Sequence, residues 1–401
     1  MNEIEIFDIC IIGGSIAGNY LGYLLQNSGL RIAIIEEHET IGKPLQCAGI
    51  VSMKLKSLIP IPEKIILNRV NKAKLVSPSG NYIILEGNEV PLVIDRIALD
   101  KYFYEKIKNS PLITYYLGEK FKHFKYIKKN HEKKIMIQTS KRLIEAKMLV
   151  GCDGPRSMVS KILKVFHDVL PAVQIRIKGN FKEDEAAMYF NHAWNELFGW
   201  IVPEGKSIFR IGLASLKNVN RKFRRFLNMI KLDYDEKIDQ QGGLIPFCRM
   251  DKIAFENVLL LGDAACQVKA TTGGGIVMLV TAAKQAARCI AHCFKKQDFS
   301  KKTIKKFYEK PLKRLIGKDL RIHWIIREIL RAFNSKDYDN FFEILKNNKI
   351  EKIISIYGDM DFPKSLFLKL MVNVSVLKFI FRFLLTHPQI ILKIFKNIPF
   401  L

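Results

Sequence analysis

The chain contains no Cys-x-x-Cys pair and no apolar run that reaches the roughly 18 residues a bilayer-spanning helix needs. The nearest approach to a span is residues 376–401, "VLKFIFRFLLTHPQIILKIFKNIPFL", which Lys378, Arg382, Pro388, Lys393 and Lys396 interrupt. Apolar residues with cations at intervals read instead as a helix pair lying on a membrane surface or on the protein itself. The seven cysteines are odd in number, and "MNEIEIFDICIIGG" runs into a strand and a glycine loop with no secretory leader. A reducing, cytoplasmic compartment with mostly free thiols is expected, and no metal site. Cys289 and Cys293 lie four apart, so they share one helical face and read as packing. Acid is also scarce: 39 Asp and Glu face 65 Lys and Arg, a net charge of +26. That imbalance favours an anionic partner, either an acidic redox protein or an anionic lipid surface, unless it is compositional bias. Nucleic acid is set aside because no recognition motif accompanies the charge.

What is present is a folded core. Hydrophobic residues make up 48% of 401 positions, enough for two or three domains. Residues 7–38, "FDICIIGGSIAGNYLGYLLQNSGLRIAIIEEH", read as strand, glycine turn, helix, strand, acid. Gly29 is expected to cap the helix. In a dinucleotide fold Gly13 makes the turn, Gly18 lets helix and strand approach, and the helix N-terminus faces a pyrophosphate. Glu36 stands 36 − 13 = 23 positions after Gly13, near the ~20 expected for a ribose-binding acid. Ser15 occupies the middle position of the fingerprint, where glycine is usual, and its hydroxyl is suited to donate to phosphate.

Two later motifs extend this. "MLVGCDGPRSMV" (148–159) ends a strand in Asp-Gly. "NVLLLGDAACQVKATTGGGIVMLVTAAKQAA" (257–287) places Asp263 at a strand's carboxyl end, then Gly274 and Gly275 at the start of an apolar helix. An acid there suits a ribityl hydroxyl, and a glycine-opened helix suits the electron-rich end of a reduced flavin. In this order the motifs resemble the glutathione-reductase-like flavoproteins of the para-hydroxybenzoate hydroxylase type. With "GKPLQCAGI", "VIDRIALDKYF" and "FGWIVPEG" the chain resembles the geranylgeranyl reductase family, and more narrowly its archaeal digeranylgeranylglycerophospholipid reductases, over about residues 5–300.

The resemblance implies FAD as cofactor, with contacts at Ala17, Glu36, Cys47, Ala48, Ile50, Arg96, Asp263, Gly275 and Ile276. Arg96, read as the residue just before a helix, can reach the diphosphate with its planar fork, and has a second reading, an ion pair with Asp100 one turn on. Cys266 stands where the family has glycine and Ala270 where it has proline, which loosens or re-aims that loop. Cys47 is open to three readings: metal ligand, for which partners are lacking; half of a disulfide, with Cys10 the candidate; or a pocket thiol beside the flavin, as wall or proton donor.

Short alternating runs at 72–87 and 163–247 suit an antiparallel sheet. The fold expected is α/β (α+β overall). A discontinuous Rossmann-like FAD-binding domain covers 1–70, 88–162 and 250–300. An antiparallel-sheet substrate domain covers 71–87 and 163–249, and a basic helical region 301–401. Phe198, Trp200 and Pro203 either line an apolar tunnel or are ordinary core. The implied activity is saturation of geranylgeranyl C=C bonds on glycerolipids or prenyl precursors. Reduced flavin supplies hydride, and a donor such as Cys47 supplies the proton. With no second Rossmann fingerprint, the electron donor is NADPH bound transiently or an acidic redox protein such as ferredoxin. Peripheral attachment to the inner face of the cell membrane is expected from the basic tail. A flavin monooxygenase of the same fold and a non-catalytic flavin or lipid carrier remain open alternatives.

Overall fold

The computed structural model describes residues 4–395 apart from 88, 130 and 166, so the last part of the basic region, 396–401, lies outside the described residues. Strand β1 (Glu5–Ile12) is central to the first sheet. Its residues Ile9, Cys10 and Ile11 are fully buried, as a continuous apolar run between two covered faces requires. Strand β2 (Ile32–Ile35) and strand Leu143–Gly151 flank it in parallel. Ile113–Tyr116 lies beyond β2 and Val258–Leu260 beyond Leu143–Gly151, both also parallel. This is a doubly wound order with β1 at the switch point, where a ligand crevice opens at the strands' carboxyl ends.

Helix α1 (Ile16–Leu25) follows β1 and packs against helix Arg96–Ile107 and the long helix Ile276–Lys296. It ends before the expected Gly29. The Ser28 hydroxyl donates to the Leu25 carbonyl at 2.6 Å, and Gly29 (φ +74°) instead turns the chain into β2. Cys289 and Cys293 are fully buried on the long helix, so these thiols are core.

The second sheet has seven strands in the order Glu236–Pro246, Val169–Lys178, Ile208–Ala214, Gly199–Gly205, Glu185–Tyr189, Lys72–Val76, Tyr82–Leu85. Alternating residues on one face, among them Val173, Ile175, Ile201, Phe209, Ile211 and Leu213, form a core with Phe223 and Phe226 of helix Val219–Met229. The opposite face carries Leu170, Ala186, Trp200, Val202 and Ala214. The sheet is not wholly antiparallel: Lys72–Val76 joins Glu185–Tyr189 in parallel, because it arrives from a distant segment rather than through a hairpin.

From Lys301 onward the described chain is helical. Tyr308 is buried and donates to the Leu260 carbonyl at 2.7 Å, tying this region to the first sheet. Helices Ser335–Asn347 and Ile350–Tyr357 cover the edge strand Tyr82–Leu85 through Phe342, Leu345 and Ile350 against Ile83.

Candidate active site

The site begins where β1 ends. Gly13 has φ +107°, and a Cβ on Gly13 or Gly18 would strike backbone, at Cys152 and at Gly13 respectively. These are the turn and close approach that let α1 start beside the strand. Ser15 is the residue before α1 and its hydroxyl makes no capping bond, while the Asp100 carboxylate accepts from the Ile16 N–H at the helix start. Glu36 accepts a hydrogen bond from the Gly14 N–H at 2.7 Å and pairs with His38 at 2.6 Å. It closes the outer side of the same turn.

Contacts run from there toward the interior. Ala17 lies against Gly262, where a Cβ would come within 3.2 Å of the alanine methyl. Asp263 follows, and a Cβ on Gly275 would lie 3.6 Å from its Oδ1. Burial pushes the Asp263 carboxyl up to about 6, only partly offset by the Arg96 charge. Arg96 is the first residue of its helix rather than the residue before it, because Asp95 caps that helix through the Ala98 N–H. Its Nη2 donates to Asp100 at 3.1 Å, so the ion-pair reading is realised. Burial opposes its charge, but Asp100 and then Cys47 outweigh burial and hold the guanidinium above its ordinary range. Its Nε is nevertheless buried with no partner, a donor left for something else.

A cavity of about 390 Å³ lies under the second sheet. Cys47, Ala48, Ile50, Phe198, Trp200 and Gly274 all line it, with Met188, Leu244 and Ile245 as further apolar wall. Gly13, Ser15, Ala17, Gly18, Glu36, Arg96, Asp263, Gly275 and Ile276 are outside its lining; they form the track described above, and Ile276 starts the long helix. Pro203 corrects the expectation: it does not line the cavity. Strand alternation puts Trp200 and Val202 on the cavity face and turns Pro203 toward the other.

Cys47 is a free thiol, as is Cys10, so the pairing considered between them is absent. The Cys47 Sγ accepts the Gly49 N–H at 3.3 Å. The chain instead pairs Cys248 with Cys266, a pairing the sequence reading did not contain, and the other five thiols are free.

Three polar groups that hold the site were missed. Arg210, 2% exposed, donates to the Ala48 carbonyl at 2.8 Å and to Glu204 at 2.8 Å, fixing the Cys47 loop from the sheet. Gln174 accepts from the Trp200 indole at 2.8 Å and donates to Gln241 at 2.9 Å. The signal was in the alternation: Gln174 lies between Val173 and Ile175, Arg210 between Phe209 and Ile211, each a polar residue facing inward on the cavity side. Lys269, in the loop before the glycines, pairs with buried Asp361 of the helical region at 2.7 Å, and Ser52 also bonds Asp361.

Fold and site together define one architecture: a doubly wound domain whose later Gly-Asp strand and glycine-opened helix meet a second sheet over an apolar cavity. Similar folds include a geranylgeranyl bacteriochlorophyll reductase-like protein from Thermoplasma acidophilum, with TM-score 0.77, 22% identity and 99% and 100% of the two chains covered. A probable FAD-dependent monooxygenase from Pseudomonas aeruginosa aligns with TM-score 0.63 and 16% identity over 84% of this chain and all of its own. More particularly, the sequence is similar along most of its length to archaeal reductases. Digeranylgeranylglycerophospholipid reductase 1 of Methanococcoides burtonii is 24% identical, covering 90% of this chain and 92% of its own. An uncharacterized protein of Methanocaldococcus jannaschii is 27% identical over 92% and 96%. No protein-family model matches the chain.

Proposed function

We propose that this chain is an FAD-dependent reductase that saturates C=C bonds of geranylgeranyl chains on archaeal-type glycerolipids or their prenyl precursors. The observation that carries the reading is the apolar cavity bounded by both the Cys47 loop and the Thr272–Gly274 turn. The residues fit FAD. The helix start at Gly275 lacks a side-chain cap, and Arg96 Nε is a buried donor in want of an acceptor. Ser15, Ala17 and Gly18 would hold the diphosphate, Glu36 the adenosine ribose and Asp263 the ribityl chain. Arg96, Cys47, Ala48, Ile50, Gly274, Gly275 and Ile276 would lie toward the ring. When bound and reduced, FAD supplies a hydride.

The chain's own residues do the rest. An isolated alkene accepts hydride poorly, so its orientation and the exclusion of water are what the wall residues Phe198, Trp200 and Met188 contribute. Trp200 is held by Gln174, so it is a fixed wall. The Cys47 thiol carries the proton destined for the second alkene carbon, and Arg210 steadies the loop that presents it. The unit boundaries given above belong to this proposal: 1–70, 88–162 and 250–300 bind the cofactor, and 71–87 with 163–249 hold the prenyl chain.

No described helix is long and apolar enough to cross a membrane. The proposal includes peripheral docking on an anionic lipid surface through the C-terminal helices. Val372, Val374, Phe381 and Leu385 are all more than 60% exposed there, among the cations Lys364, Lys369, Lys378 and Arg382. Leu366 and Ile354 of the same region line the cavity, so a lipid chain has a short route in. The net charge of +26 suits an anionic electron donor, either an acidic redox protein or NADPH bound transiently.

The test is anaerobic. FAD-loaded protein, reduced and mixed with geranylgeranylated glycerolipid, should give products heavier by successive pairs of hydrogens. Oxygen-dependent hydroxylation with no hydrogen gain would mark a monooxygenase instead. Stoichiometric flavin with no turnover of any prenyl substrate would mark a carrier.

A further inference from the structure

Away from the cavity lining, three metal-ligating side chains converge from segments far apart in sequence. His167 leads into strand Val169–Lys178, Cys248 follows strand Glu236–Pro246, and Cys266 follows the Gly262–Ala265 turn. The His167 Nδ1 lies 3.3 Å from the Cys248 Sγ and 3.2 Å from the Cys266 Sγ. Their ligand atoms all fall within 4.8 Å of one another. The other ring nitrogen, Nε2, meets the Ala264 carbonyl at 2.7 Å. A carbonyl accepts only from a protonated nitrogen, so Nε2 carries a hydrogen, and in the neutral ring Nδ1 turns its lone pair on the sulfurs. A disulfide has no need of such a group. An imidazole whose far nitrogen is anchored to a carbonyl is how proteins aim a histidine at a metal ion. Cys266 also holds φ +54°, a conformation that suits glycine and is strained for a side chain. The thiol is kept where its backbone disfavours it.

We propose that His167, Cys248 and Cys266 form a binding site for a thiophilic divalent cation, Zn²⁺ foremost, in the dithiol state of the chain. Two thiolates and a neutral imidazole balance the charge of Zn²⁺ and leave a fourth tetrahedral position to an outside ligand. The disulfide is the metal-free, oxidised form. A phosphine reductant supplies two electrons and ends as phosphine oxide. The sulfurs take up two protons from water, and the metal displaces them. The bound ion fastens the second sheet to the turn that carries Asp263.

The test uses the full chain with Co²⁺ as probe. Free thiols should rise from five to seven on reduction with tris(2-carboxyethyl)phosphine under native conditions. After the phosphine is removed, a single Co²⁺ per chain should give thiolate-to-cobalt charge-transfer absorption that Zn²⁺ abolishes. The disulfide form should stay silent. Cys266→Gly relieves the strained backbone, so it keeps the fold, and it should lose the band. His167→Ala should weaken binding at least tenfold. A seven-thiol protein without the band, the same band in Cys266→Gly, or a chain that stays at five thiols would each overturn the proposal.

Discussion

At the scale of single residues, the site joins groups of opposite demands. Asp263 is a buried acid whose carboxyl sits at about 6, above the 3.8 of an exposed aspartate, so the folded chain binds its proton more tightly than the unfolded chain does. Without cofactor, the Asp263 contribution to stability, of order 3 kcal/mol, should therefore be lost as pH rises from about 4 to about 6, opposite in sign to that of His323 below. Asp263→Asn should flatten that difference between urea midpoints at the two ends, while other groups cancel in the comparison. Cys47→Ala should leave FAD binding intact and lower turnover by roughly 10²–10⁴ if the thiol delivers the proton; unchanged turnover reduces it to wall. Gly212 shows a packing limit: a Cβ there would overlap the Trp200 indole. Gly212→Ala should cost about 1–3 kcal/mol and move the tryptophan emission. The glycines and the acid of the first turn were legible because their spacing follows from local backbone geometry. Arg210 and Gln174 were not, since a polar residue inside an alternating strand declares an inward face but not its partner. The Cys248–Cys266 pairing escaped for a related reason: its 18-residue separation matches no local ligand spacing.

At the scale of elements, the loop before the long helix is held by the C-terminal region as well as by its own strand. Lys269 and Asp361 are both nearly inaccessible, so Asp361→Asn leaves a buried cation unbalanced and should cost about 3–5 kcal/mol by chemical denaturation. Replacing both with apolar residues should recover much of that loss. His323 sits in the same knot, bonded to Thr271 at 2.6 Å and to the Asp361 carbonyl at 3.2 Å. Burial, then the Lys269 charge, pushes it down to about 4 from 6.5. Here the unfolded chain binds the proton better, so stability is lost as pH falls through that interval. His323→Gln should remove this acid sensitivity, read from midpoints at its two ends. The βαβ unit was legible from periodicity alone. The end of α1 moved because Ser28 bonds back to Leu25, and the parallel junction of Lys72–Val76 with Glu185–Tyr189 could not be read because pairing direction is set by the route of the chain.

At the scale of the whole molecule, net charge and an exposed apolar face reinforce each other. The protein should sediment with anionic vesicles but not with zwitterionic ones, and added salt should weaken the association. Phe381→Asp with Leu385→Asp should release it while leaving catalysis on detergent-dispersed lipid intact; equal binding to neutral vesicles would argue against the charge contribution. The helical cover over the edge strand Tyr82–Leu85 has a consequence during synthesis. That hairpin leaves the ribosome roughly a hundred residues before its partner Glu185–Tyr189, and its cover is made later still. Throughout that wait the nascent chain exposes an unprotected pairing edge to every neighbouring copy, so rapid translation or crowded expression would divert it into aggregates before the helices could close over it.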